Sequence, residues 1–171
     1  IGTATNITIP SDITKINNYA FYYCSSLTSI VIPNSVKSIG RSAFSYCTNL
    51  TSVTIGNSVE VLGDYAFEYC YKLETIIIPD NVARIGWSAF DHCHLSSIII
   101  PKSVTSIGQE AFRGSSIKSI VVEEGNTIYD SRNNCNAIIK TETNTLIVGC
   151  QNTIIPSTVT SIGSYAFHDN M

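Results

Sequence analysis

The stretch Leu27-Thr28-Ser29-Ile30-Val31-Ile32-Pro33-Asn34-Ser35-Val36-Lys37-Ser38-Ile39-Gly40-Arg41-Ser42-Ala43-Phe44-Ser45-Tyr46-Cys47-Thr48-Asn49 decides the fold. Leu27, Ile30 and Ile32 read as the inward side of a short strand, as do Leu50, Val53 and Ile55 in the next copy. Pro33-Asn34-Ser35 reads as a turn: proline has no N–H for a ladder, and Asn and Ser bond their own backbone. Val36 to Ile39 is a second short extended segment, broken by Gly40. Ala43, Phe44, Cys47 and Leu50 follow at spacings of one, three and three, which predicts one face of a short helical turn.

The stretch is a unit because its columns recur. Ile-Gly-x-x-Ala-Phe stands at Ile39–Phe44, Ile85–Phe90, Ile107–Phe112 and Ile162–Phe167, with variants at Ile16–Phe21 and Leu62–Phe67. From Phe21 through Phe44, Phe67 and Phe90 to Phe112 the step is constant to within one position. The next phenylalanine of the column, Phe167, comes after more than twice that step, so an insertion lies between it and Phe112. Cys24, Cys47, Cys70 and Cys93 form a parallel column, as do Leu27, Leu50, Leu73, Leu95 and Ile117. Pro10, Pro33, Pro79, Pro101 and Pro156 close the apolar runs, with Gly56 in the remaining slot. One unit cannot bury its apolar edge alone; stacked copies can. The expected fold is therefore a single repeat solenoid over residues 1–171, roughly 30 Å long for six coils at strand spacing.

Composition agrees. The chain has 171 residues, 44% hydrophobic and 13% charged, with a net charge of −3. That lacks the high charge of a disordered chain and the basic face of a nucleic-acid binder. No apolar run approaches the roughly 20 residues of a membrane helix. The chain opens on Ile1 without a signal-type segment and stops mid-unit at Met171. It reads as a fragment of a longer chain whose exposed solenoid ends could pair two copies into a dimer.

The unit resembles the leucine-rich repeat of the Treponema pallidum type found in BspA-like bacterial surface proteins. Ile32-Pro33-Asn34-Ser35-Val36, Ser38-Ile39-Gly40, Ala43-Phe44, Cys47 and Leu50-Thr51-Ser52 carry the resemblance, in five or six copies. It implies a right-handed, curved leucine-rich-repeat solenoid and an extracellular or cell-surface, outer membrane-associated location. It also implies adhesion or recognition of a protein or glycan on a host or bacterial surface, rather than catalysis. The resemblance brings no catalytic residues, no metal and no cofactor. A rigid spacer that presents another domain is the rival function.

Residues 123–152 leave the period. Cys135 to Thr141 and Thr145 to Cys150 read as the strands of an inserted hairpin with Glu142-Thr143-Asn144 at its turn. Cys135 and Cys150 are symmetric about that turn, which allows a disulfide or two neighbouring buried thiols. Asp130, Asn133, Asn134 and Asn136, with Glu123 and Glu124 upstream, read either as Asx turns or as an oxygen-rich cation site. The other four cysteines read as a buried thiol column, since the Cβ vectors of in-register neighbours run side by side.

Two surfaces could bind. Between the inward positions of the main strands lie Ser29, Ser52, Thr75, Ser97 and Ser119, and beside them Val31, Thr54, Ile77, Ile99 and Val121. On the expected concave face these form a hydroxyl ladder and an apolar ladder, which suit a partner met without charge. Tyr23, Tyr46, Tyr69 and His92 form an aromatic column that either grips a ligand or stacks on itself. No nucleophile elbow, phosphate loop or zinc-protease signature is present.

Overall fold

The computed structural model describes residues 5–170, which stack as coils into a solenoid. Its long strands are β1 (Asn6–Thr8), β3 (Ser29–Val31), β5 (Ser52–Thr54), β8 (Ser97–Ile100) and β10 (Ser119–Val122). Its two-residue strands are β2 (Lys15–Ile16), β4 (Ser38–Ile39), β6 (Val61–Leu62), β7 (Arg84–Ile85), β9 (Ser106–Ile107) and β14 (Ser161–Ile162). The inserted segment supplies β11 (Tyr129–Asp130), β12 (Ala137–Lys140) and β13 (Thr145–Gly149). No helix of the described residues is long and apolar enough to cross a membrane.

Coil-to-coil pairing is parallel and in register. Ser29 pairs with Asn6 in the preceding copy and with Ser52 in the following one, and Ser97 pairs with its repeat equivalent Ser119. Five of the two-residue strands form one sheet in the order β2-β4-β6-β7-β9. The long strands form two ladders, β1-β3-β5 and β8-β10. Thr75–Ile78, between them in sequence, keeps the alternation of buried Ile76 and Ile78 with exposed Thr75 and Ile77 but joins neither ladder. Each proline slot closes a turn in which the residue three later donates to it, as Val36 does to Pro33 at 3.1 Å. Val59 donates to Gly56 at 3.1 Å, so glycine makes the same turn where the proline is missing.

The expected short helix is instead a run of turns. Ala43, Phe44, Cys47 and Leu50 are all fully buried, as their spacing requires. However, only alternate N–H groups bond locally: Ala43 to Gly40, Ser45 to Ser42 and Cys47 to Phe44, at 3.2–3.3 Å. Ser42, Phe44 and Tyr46 donate to Asp64, Ala66 and Glu68 of the next coil at 2.8–2.9 Å. A left-handed φ at the positions two before and two after each phenylalanine (51° at Ser42, 62° at Tyr46) turns alternate amides outward toward the neighbour. The side-chain spacing of a helix is kept while half of its backbone bonding goes to stacking.

The core is a set of ladders. Phe21, Phe44, Phe67, Phe90 and Phe112 stack with centroids 5.0–5.7 Å apart and planes within 6°. Cys47, Cys70 and Cys93 are buried free thiols that donate to the carbonyls of Phe21, Phe44 and Phe67 at 3.1–3.3 Å. In the second to fifth coils the glycine before the turn is a point of close approach between backbones. A Cβ on Gly63 would stand 2.6 Å from the Gly40 carbonyl carbon.

The insertion is a hairpin, β12 antiparallel to β13, with β11 on its outer side and β14 parallel to β13. Its Asp130 carboxylate is held by Arg132 and by the Thr141 hydroxyl, at 2.5–3.0 Å, and Arg132 reaches on to Asn144 at 2.8 Å. Burial alone would raise the Asp130 carboxyl, but these donors hold it below the ordinary value. Asn133, Asn134 and Asn136 take left-handed turns, φ 51–59°. Among the described residues no group of three or more His, Cys, Asp or Glu is placed to hold a metal ion.

Cys135 and Cys150 are buried free thiols, the second of the two readings that their symmetry left open. Near the turn the register is symmetric, with Lys140 opposite Thr145 and Ile139 opposite Leu146. A bulge between Ile138 and Ile139 then shifts it, so that Ile138 faces Val148 and Ala137 faces Gly149. One residue of slip sends the cysteines to opposite faces. Cys150 joins the main core and donates to the Asn136 carbonyl at 3.3 Å, while Cys135 sits in a second cluster with Leu146 and Ala166.

Candidate functional site

The long strands set out the ladder by pairing alone. Alternation aims Ile30, Ile98 and Ile120 into the core, and so aims their neighbours out. Val31 is 62% exposed, Ile77 83%, Ile99 56% and Val121 43%. Val31 lies in register with Thr54, and Ile99 with Val121; Ser29 lies in register with Ser52, and Ser97 with Ser119. The ten expected positions thus fall into two in-register groups, with Thr75 and Ile77 on the free segment between them in sequence. A groove of about 310 Å³ runs there, between Ile77 and Ile99 and bounded by Asp80 and Glu123.

The ladder begins one strand earlier than the columns suggested. Thr8 is exposed and lies in register with Val31. Ile154, 74% exposed, stands two residues before Pro156 as Val31 stands two before Pro33. That proline spacing was the signal for Ile154; Thr8 was hidden because its strand precedes the first full unit.

Tyr23, Tyr46, Tyr69 and His92 come together as the second column, all at positive φ. Their rings spend their faces on one another: 4.4 Å and 4° between Tyr23 and Tyr46, 4.6 Å between Tyr46 and Tyr69, and 5.0 Å between Tyr69 and His92. Tyr22 packs edge-on against Tyr23 and Tyr46, and Tyr71 lies beside Tyr69. Loss of solvent around Tyr46, reinforced by the neighbouring phenols, raises its hydroxyl to about 12. His92 Nδ1 meets the buried Asp91 carboxylate at 2.7 Å, and His94 faces solvent.

Beneath the rings runs a polar column. Ser45 donates to Glu68 at 3.0 Å, Arg113 lies 3.9 Å from Asp91 and Glu110, and its Nε donates to Asp169 at 3.0 Å. Burial pushes the carboxyls of Glu68 and Asp91 up. Their partners are one hydroxyl, one imidazole and one shared guanidinium, the bonding of a structural network.

A model of the BspA-type leucine-rich repeat region matches residues 3–118 and 137–171 in six copies, leaving out part of the insertion. Among solved structures, a leucine-rich repeat protein from Eubacterium ventriosum is 27% identical with a TM-score of 0.84, over 97% of this chain and 45% of that one. The Treponema pallidum leucine-rich repeat protein is 26% identical with a TM-score of 0.72, over 95% of this chain and 70% of that one. A leucine-rich cell surface protein from Faecalibacterium prausnitzii is 28% identical with a TM-score of 0.67, over 95% and 57%. The chain therefore spans under half the length of the Eubacterium protein. A search of curated proteins gave no significant match.

Proposed function

The chain belongs to the BspA-type leucine-rich repeat family, and from that premise we propose that it is a non-catalytic recognition module of a bacterial surface protein. It takes a protein or glycan partner on its exposed strand face. The observation that carries this is the ladder of Val31, Ile77, Ile99 and Val121, aliphatic and outward on a surface where a soluble fold needs none of them. Hydroxyls flank it in register, so a partner finds apolar area beside groups that donate and accept. The cell surface protein from Faecalibacterium prausnitzii supports the location.

The test is binding of the chain to an array of host matrix proteins and glycans, beside a Val31→Asp/Ile77→Asp/Ile99→Asp triple variant. Saturable binding that the folded variant loses is the expected result. Binding that survives in the variant moves the site to the aromatic column. Absence of binding in both favours the rigid spacer, for which the unbroken phenylalanine stack would supply the stiffness.

A further inference from the structure

The sheet of long strands is split at residues 75–78. In the coils before it, Thr28 donates back to Thr5 and Thr51 back to Thr28 at 2.9 Å, and Ile32 donates forward to Thr54 at 2.8 Å. The next copies of these donors, Glu74 and Ile55, make no such bond to Thr51 or Ile77. Among the described residues no main-chain N–H or carbonyl of Thr75, Ile76, Ile77 or Ile78 is hydrogen-bonded. β8 pairs with β10 alone, so its other edge is open too. The two open edges are joined only at Glu74, whose carbonyl accepts from the Ser96 N–H at 3.0 Å and from its hydroxyl at 3.3 Å.

The groove of about 310 Å³ runs between these edges, and its two banks differ. On the β8 bank only the outward residues Ser97 and Ile99 line it. On the other bank all four residues 75–78 line it. Ile76 and Ile78 turn their side chains into the core, so what they bring to the groove is main chain. Register agrees: their repeat equivalent Ile32 donates forward, so the N–H groups of Ile76 and Ile78 face forward, toward β8. Ile77 is the most exposed member of the apolar ladder, as befits a segment standing clear of its neighbours. Asp80 and Glu123 line the same groove. Among the described residues neither has an ion-pair partner; Glu123 accepts the Lys102 N–H at 3.1 Å, and Asp80 accepts nothing.

We propose that residues 75–78 dock an extended peptide segment of a partner protein, which adds to the open edge as a strand and brings a lysine or arginine to Asp80 and Glu123. This rests on the strand-face reading and names the partner's chemistry. An open row of main-chain donors and acceptors is a template for another main chain, which repeats both groups at strand spacing. A sugar carries hydroxyls without that period. Alternation supplies the side-chain contacts: one face of the added strand meets Ile77 and Ile99, with Thr75 and Ser97 beside them. The two unpaired carboxylates repel an acidic segment and attract a basic one.

The experiment is an NMR titration of the full chain with a capped hexapeptide of alternating threonine and valine bearing one terminal arginine, made in both orientations. The expected result is saturable binding of one of them with Kd on the order of 0.1 mM. The Ile76 and Ile78 amides, unbonded in the free protein, should then become protected from hydrogen exchange. Methylating the peptide's backbone nitrogens should abolish binding. Glutamate in place of its arginine, or Asp80→Asn in the protein, should weaken binding severalfold. Binding of neither peptide overturns the proposal, as does equal binding of the methylated peptide or binding without protection of Ile76 and Ile78. A surface partner lost in the triple variant, with no peptide bound, overturns this proposal and leaves the strand-face reading standing. Peptide binding with an empty array supports this proposal and counts against the glycan partner.

Discussion

Single side chains in this protein answer to columns. The thiols of Cys47 and Cys70 are pushed well above the ordinary range, mainly by burial. They should therefore resist a disulfide reagent at pH 8 in the native state and react only on unfolding, whereas part-exposed Cys24 should react first; thiol counting with and without denaturant checks this. Phe67, fully buried between Phe44 and Phe90, loses stacking on both sides when truncated. Phe67→Ala should cost about 3–5 kcal/mol in denaturant unfolding. Glu68 gives a pH signature. Burial raises its carboxyl, the Ser45 hydroxyl partly offsets this, and Asp91 adds to it. A carboxyl raised by folding costs stability above its folded value, and the cost vanishes below the ordinary 4.5. Glu68→Gln should thus melt higher than wild type at pH 7, with the difference shrinking toward pH 4. Asp130 has the opposite sign: its stabilisation is present above 3.8 and lost as pH falls through its lowered value.

Turns and hairpin mark the boundary of what the sequence can express. The period, the strands and the inward columns were all legible, because burial repeats wherever a side-chain type repeats. The chain of turns was not, since Ala43, Phe44, Cys47 and Leu50 have the same spacing on a helix and on alternating turns. What separates the two is where the N–H groups of Ser42 and Phe44 go, and that depends on a neighbour one full coil further along the chain. The bulge at Ile138 was equally hidden: symmetry about the turn placed Cys135 opposite Cys150, and one inserted residue undid it. Of the candidate surfaces, the outward ladder followed from alternation. Gly63 belongs to this scale. Gly63→Ala would press a methyl onto the Gly40 backbone, which cannot yield as a side chain can, and should cost about 3 kcal/mol by thermal unfolding.

Across the whole molecule, neighbours are joined in both directions. Lys37 and Gly40 donate back to Thr14 and Ile16 of the coil before, while Phe44 and Tyr46 donate forward to the coil after. From the first coil to the fourth each coil is thus stitched to the two beside it, while Arg113 and Ser115 of the fifth also reach Asp169 and Asn170 of the last, and stability is close to a sum of coil and interface contributions. Tyr23, Tyr46, Tyr69 and His92 each donate their N–H to the next coil, whereas among the described residues Gly114, two after Phe112, makes no such bond to the hairpin, so residues 161–170 should exchange amide hydrogens faster than the matching positions of the second to fourth coils. The same one-coil-at-a-time stitching has a mechanical consequence. Pulled by its two ends, the run of coils before the hairpin has no long-range clamp that must break all at once. It should pay out like rope from a coil, releasing about 75 Å of slack for each coil freed. A single-molecule tether should record a staircase of nearly equal small steps, a compliant line rather than a brittle link.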